Sequence, residues 1–184
     1  MSTAIQQAVL FEIDEKSWDT HLDRVERWFH HMQTVQTAFR KLVEDTLPKM
    51  HDSHLREYLT EILERAKDHE SKTDDLLRMI GRDPSASRKA LGTGLAKAQE
   101  LVADLKGFAG GAMSGWRDLQ QLVHASLDGI AVFGVAQDLG LALGLVEITE
   151  LTMHISNEKF VHHYLLQELV LELGTMSVLY RSEI

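Results

Sequence analysis

The chain has 184 residues, 44% of them hydrophobic, a formal net charge of −9 and no cysteine. That is one domain's length with enough apolar residues for a core. It excludes disulfides, thiolate metal sites, iron–sulfur clusters and cysteine nucleophiles, and it argues against nucleic acid or an anionic membrane surface as partner, since both call for clustered Lys and Arg.

Residues 1–17 read as an N-terminal extension and 18–184 as a single helical domain. The opening MSTAIQQAVLFEIDEK lacks the basic start and long apolar run of a signal peptide, so the expected location is cytoplasmic. Strand signals are scarce: there is no sustained period-two run and no Asn-Gly hairpin turn. Helical periodicity dominates. A first helix is expected from about Trp18 to about Leu47, on a stripe of Leu22, Val25, Phe29, Met32, Phe39, Val43 and Met50 that Gln36 interrupts. Pro48 disfavours helix just before it, and Asp52 or Ser53 can cap the next helix. That second helix, Ser53 to Ile80, has a regular seam: Leu55, Leu59, Ile62, Ala66, His69, Thr73, Leu76 and Ile80. Gly81 is its natural stop. The first hairpin is therefore 18–81.

Residues 82–114 form a crossover with an extra helix expected within Ser87 to Phe108. The glycine-rich GFAGGAMSG, Gly107 to Gly115, has no preceding strand and no following Gly-Lys-Ser/Thr, so it reads as a linker and not a phosphate cradle. The second hairpin is 115–181. Its third helix starts near Ser114 or Gly115 and reaches at least Leu143, and the pattern leaves open whether it ends there or continues, bent, to about Met153. Gly129, Gly134, Gly140 and Gly144 along it point to a close backbone approach or a kink. Gly129 to Ile148 has the length of a bilayer span, but Gln137, Asp138 and Glu147 within it favour a helix buried in a bundle. The fourth helix is expected from about Ser156, its cap, to Leu179.

The sequence repeats itself. LVEDTLPKMHDS, Leu42 to Ser53, returns as LVEITELTMHIS, Leu145 to Ser156, with seven of twelve positions identical. Each copy is expected to span a helix end, a turn and the cap of the next helix. Downstream, YLTEILE from Tyr58 is similar to YLLQELV from Tyr164. Two αα-hairpins joined by a long crossover is a known four-helix topology.

With that duplication and the strings AKDHESKTDDLLRMIG (Ala66 to Gly81), IAVFGVAQDLGLALG (Ile130 to Gly144) and SNEKF (Ser156 to Phe160), the chain resembles the ferritin-like superfamily, nearest to its stress-associated bacterial branch of unknown function. The resemblance covers about residues 20 to 181. It implies an all-α, ferritin-like four-helix bundle and a di-metal carboxylate site. The ligands of such a site are a Glu from one helix of each hairpin and Glu-x-x-His from the other. Here the repeat aligns Ala66-x-x-His69 with Glu172-x-x-Thr175, so each half keeps a different half of the motif. The first and third helices offer only Gln33, Thr34, Gln36 and Thr37, then Gln137 and Asp138, at the matching level. His69 and Glu172 are the candidate metal residues, with Glu44 and Glu147 near the turns. The competing reading of His69 is a hydrogen-bonded core histidine near Gln36 or Thr73. Glu150, His154, Glu158 and His162 step by four, but a cap at Ser156 would break that ribbon.

Two functions follow. The first is a non-catalytic ferritin-like structural or interaction protein that has lost most of its di-metal ligands. It would have no cofactor and no nucleic-acid or membrane partner, and it would form a homo-oligomer, expected as a dimer. The second is a metal-binding ferritin-like protein, an iron or manganese oxidase or storage protein with an atypical site.

Overall fold

All the regular structure among the described residues is helical, with no strand. The computed structural model describes residues 14–84 and 114–180. Helix α1 spans Glu15–Thr46, α2 Ser53–Met79, α3 Ser114–Leu143 and α4 Val146–Tyr180, with a 3-10 turn at Leu47–Lys49 after α1. The expected crossover helix, and all of the glycine-rich stretch but Ser114 and Gly115, lie outside the described residues.

The α1–α2 corner forms where the residue types place it. Asp14 caps α1 by accepting a bond from Ser17 N–H, so the helix starts three residues earlier than Trp18. Pro48 sits in the 3-10 turn, where its missing N–H costs nothing. Asp52 then caps α2 through Leu55 N–H at 2.8 Å, and Gly81 ends it with φ +71°. Every residue of the expected α2 seam, from Leu55 to Ile80, is buried.

The third helix reaches Leu143 as expected and has no bent continuation to Met153, but the start of the fourth differs from expectation. Helix α3 stops at Leu143, Gly144 takes φ +69°, and Leu145 N–H reaches back to the Gly140 carbonyl at 2.8 Å. That six-to-one bond is a glycine-closed helix end. Helix α4 therefore starts at Val146, ten residues before Ser156, and Ser156 is buried in mid-helix and caps nothing. The second copy of the repeat is not a corner: past Leu145 it lies within the opening turns of α4. Close approach of the helices does occur at Gly140, where a Cβ would stand 2.7 Å from Thr149 Oγ1 and 3.0 Å from Thr149 N.

Side-chain bonds between helices give their directions. Gln33 meets Asp74 while Gln36 meets Ala66, so α1 and α2 are antiparallel. Trp28 meets Val132 while Lys49 meets Asp118, so α1 and α3 are antiparallel too. Trp116 meets Val170 and Ser126 meets His163 across an antiparallel α3–α4 pair. Helices α2 and α3 thus run the same way. Helix α4 closes the ring against α2 over a shorter contact.

Helix α3 is long and apolar enough to cross a membrane by length and composition, with a mean hydropathy of 1.3 in its most apolar window. Its Leu119, Leu122, Val132, Phe133 and Ala136 are buried among the other helices, while Leu127, Val135 and Leu141 face outward.

The core divides in two. One apolar cluster gathers Phe39, Leu59, Ile62, Leu119, Leu122 and Leu166; the other gathers Phe29, Met32, Leu76, Phe133, Ile148 and Ile155. Between them each helix contributes buried polar residues: Gln36 and Thr37 from α1, His69 and Thr73 from α2, Ser126 from α3, Lys159 and His163 from α4.

Candidate functional site

The chemistry of the molecule is concentrated in that polar layer, and its centre is Lys159. The residue lies on the inward stripe of α4, Ile148–Thr152–Ile155–Lys159–His163–Leu166, all of it buried. Helical spacing of three and four forces the lysine inward with its apolar neighbours. The side chain is only 5% exposed. Its Nζ donates to Gln36 Oε1 at 2.5 Å and lies 5.3 Å from the centre of the Phe39 ring and 4.9 Å from that of Phe133. Gly129 of α3 makes room, since a Cβ there would stand 3.3 Å from Nζ. Burial pushes the Lys159 amine down to about 7, with Glu158 pulling the other way.

Gln36 is held from its far end. Its Nε2 donates to the Ala66 carbonyl at 2.8 Å, so the amide oxygen is fixed toward the lysine. His69, 1% exposed, bonds through Nε2 to Glu158 Oε2 at 2.7 Å. The expected partners Gln36 and Thr73 are engaged elsewhere: Gln36 with Lys159 and Ala66, Thr73 with the Glu70 carbonyl. Burial first, and the Lys159 charge second, push His69 down to about 4 against the opposing bond to Glu158. His162 is lowered for the same two reasons. Glu158 also receives His154 at 3.3 Å and Arg65 at 3.9 Å. A small void is lined by Phe39, Ile62, Ala66, His69, Ser126, Lys159 and His162; at about 10 Å³ it has room for one water molecule. On its α3 side, Ser126 Oγ donates to the Val123 carbonyl, so His163 Nδ1 is the donor in the 2.7 Å bond to Ser126.

The candidates from sequence fall in different places. His69 is in the layer. Glu172 is exposed on α4, fourteen residues beyond Glu158 and so about 21 Å further along the helix axis. The two do not converge on one ion. Glu44 pairs with Arg40 and Lys67 at the surface, and Glu147 is exposed in the first turn of α4. Gln33 turns to Asp74 and Thr37 to Glu70, which also holds Arg40. Glu150, His154, Glu158 and His162 do share one unbroken helix, but Glu158 is occupied by His69. Among the described residues, no three His, Asp or Glu side chains are grouped so as to hold a metal.

The helix starts also change the register. Ala66 and Lys159 are each the fourteenth residue of their helix, and His69 and His162 each the seventeenth. Counted from the helix starts, Ala66-x-x-His69 matches Lys159-x-x-His162, whereas the sequence repeat pairs it with Glu172-x-x-Thr175. Ala66, His69, Lys159 and His162 line the same void. Lys159 escaped the sequence reading, although a lone cation in an apolar stripe was a signal that could have found it. No known protein family, characterised protein or solved structure matches this chain.

Proposed function

We propose that this is a ferritin-like bundle of two hairpins in which a lysine has replaced the di-metal centre, and that it acts as a non-catalytic structural or interaction protein. The observation that carries this is Lys159. In the ferritin-like pattern each hairpin supplies a carboxylate three residues before a histidine. Here both histidines remain, and the carboxylate positions hold Ala66 and Lys159. The α1 position that would supply a third carboxylate holds Gln36, which faces the lysine. A divalent ion needs several anionic oxygens or imidazoles converging on it. This layer offers the imidazoles of His69, His162 and His163 and one carboxylate, but Glu158 is taken up by His69 and His163 by Ser126, and the Lys159 ammonium repels a cation.

The interaction half of the proposal rests on the outer face of α4. Met153, Phe160, Tyr164 and Leu171 are exposed at spacings of seven, four and seven, the repeat of a helix–helix seam. A second copy of the chain is the occupant proposed for it.

Two measurements test the proposal. Protein purified without chelator should contain no stoichiometric transition metal by elemental analysis; about two iron or manganese ions per chain, as in a di-metal carboxylate protein, would overturn it. Sedimentation should give a dimer that Phe160→Glu dissociates. A monomer at every concentration would remove the self-association.

A further inference from the structure

We propose that Lys159 is a carbon dioxide site: its amine reversibly takes up CO2 to form a carbamate inside the bundle. Three geometric facts carry this. The Nζ atom has no carboxylate bonded to it; its hydrogen bond goes to a neutral amide, and the nearest acid, Glu158, is turned onto His69. The void beside it, about 10 Å³, is the volume of a single water and admits no carbon chain, so CO2 would take the place of that water. Around the lysine the walls are Phe39, Ile62 and Ala66 with two imidazoles and the Ser126 hydroxyl, which a small uncharged molecule can enter and a phosphate or carboxylate cannot without losing its hydration.

The step balances without a redox partner. The nitrogen lone pair attacks the carbon of CO2 and an N–C bond forms. One C=O π pair moves onto oxygen as the negative charge. One N–H proton leaves, first to the His162 imidazole and then to solvent. Loss of CO2 reverses each movement. Only the neutral amine reacts, and burial supplies it near neutral pH. Burial lowers the amine and Glu158 of α4 raises it; the other titratable groups of the layer are His162 of α4 and His69 of α2, and Glu61 and Arg65 of α2 act on His162. The faces of α1 and α3 toward it present Gln36, Phe39, Phe133 and Ser126, none of them charged. The product is an anion beside His69 and His162, where the present cation depresses both. Carbamate formation therefore replaces a charge that lowers both imidazoles by one that raises them.

The inference rests on Lys159 being a metal-free core lysine, and the two fail separately, one by metal content and the other by the following spectrum. The full chain, carrying ε-¹⁵N lysine, is equilibrated with ¹³C-bicarbonate at pH 8. A bound carbonyl resonance split by nitrogen coupling is expected, lost in Lys159→Met and reduced in Gly129→Ala, whose new methyl crowds Nζ. Methylation trapping followed by peptide mapping should place the adduct on Lys159 in the unmodified sequence, which needs no variant to fold. No coupled resonance, a resonance that survives Lys159→Met, or an adduct mapped to another lysine would overturn the proposal.

Discussion

Lys159→Met is expected to make the protein more stable at pH 7, and the gain should vanish as the pH rises toward 10. An unfolded chain holds its lysine protons to about pH 10.4, whereas the folded protein releases this one near 7. Between those values the unfolded state binds more protons, so stability rises with pH. At and below pH 7 the buried charge costs on the order of 5 kcal/mol. Methionine keeps the length and apolar body of the side chain without that charge. It leaves the Gln36 carbonyl without its donor, which costs about 1–3 kcal/mol. It also forfeits the attraction of the ammonium to the Phe39 and Phe133 rings, about 1–2 kcal/mol. The balance favours the variant by on the order of 2 kcal/mol at pH 7. Urea unfolding of both proteins in CO2-free buffer, at intervals from pH 6 to 10, measures it. A variant less stable at pH 7, with the same pH slope as the parent, would show that the amine is not the strained group described here.

That a single position carries so much explains what the sequence could and could not disclose. The first hairpin was legible because its signals are local. Pro48 and Asp52 mark the corner by sterics and by capping, and the α2 seam is amphipathic enough to fix its buried face. The second hairpin was not. Helix α4 is apolar on several sides, with Phe160, Val161, Tyr164 and Leu171 all exposed, so its pattern does not say which face turns inward. The repeat then misled. Ser156 has the residue type of a cap, but a buried mid-helix serine looks the same in one dimension. The real boundary was Gly144, whose positive φ a string of four glycines does not single out. A corner misplaced by about ten residues separates the pair matched from the helix starts, Lys159-x-x-His162, from the pair matched by the repeat, Glu172-x-x-Thr175. The helical class and the level of the layer on α1 and α2 survived that error, and the identity of the residue at its centre did not.

Acid is expected to destabilise the protein through His69 before its carboxylates titrate. An unfolded histidine takes its proton near pH 6.5; His69 in the fold resists until about 4. A group that charges on protonation and is depressed in the fold contributes stability above the unfolded value, and loses it as the pH falls through that window. The loss between pH 6.5 and 4 is on the order of 3 kcal/mol, since His69 is 1% exposed and solvent screens it little. His69→Gln keeps a donor for Glu158 without a titrating ring, so its urea midpoint should fall less steeply over that range. Parallel profiles for the two proteins would eliminate His69 as the acid-sensitive group. Lysine and histidine must also be coupled, because the Lys159 charge is part of what depresses the imidazole. Lys159→Met should therefore raise the His69 value and relieve part of the acid loss by itself. The double variant should then recover less than the sum of the two single effects, the non-additivity expected of charges sharing one buried layer. Additive effects would mean that the two residues titrate independently, each answering only to its own burial.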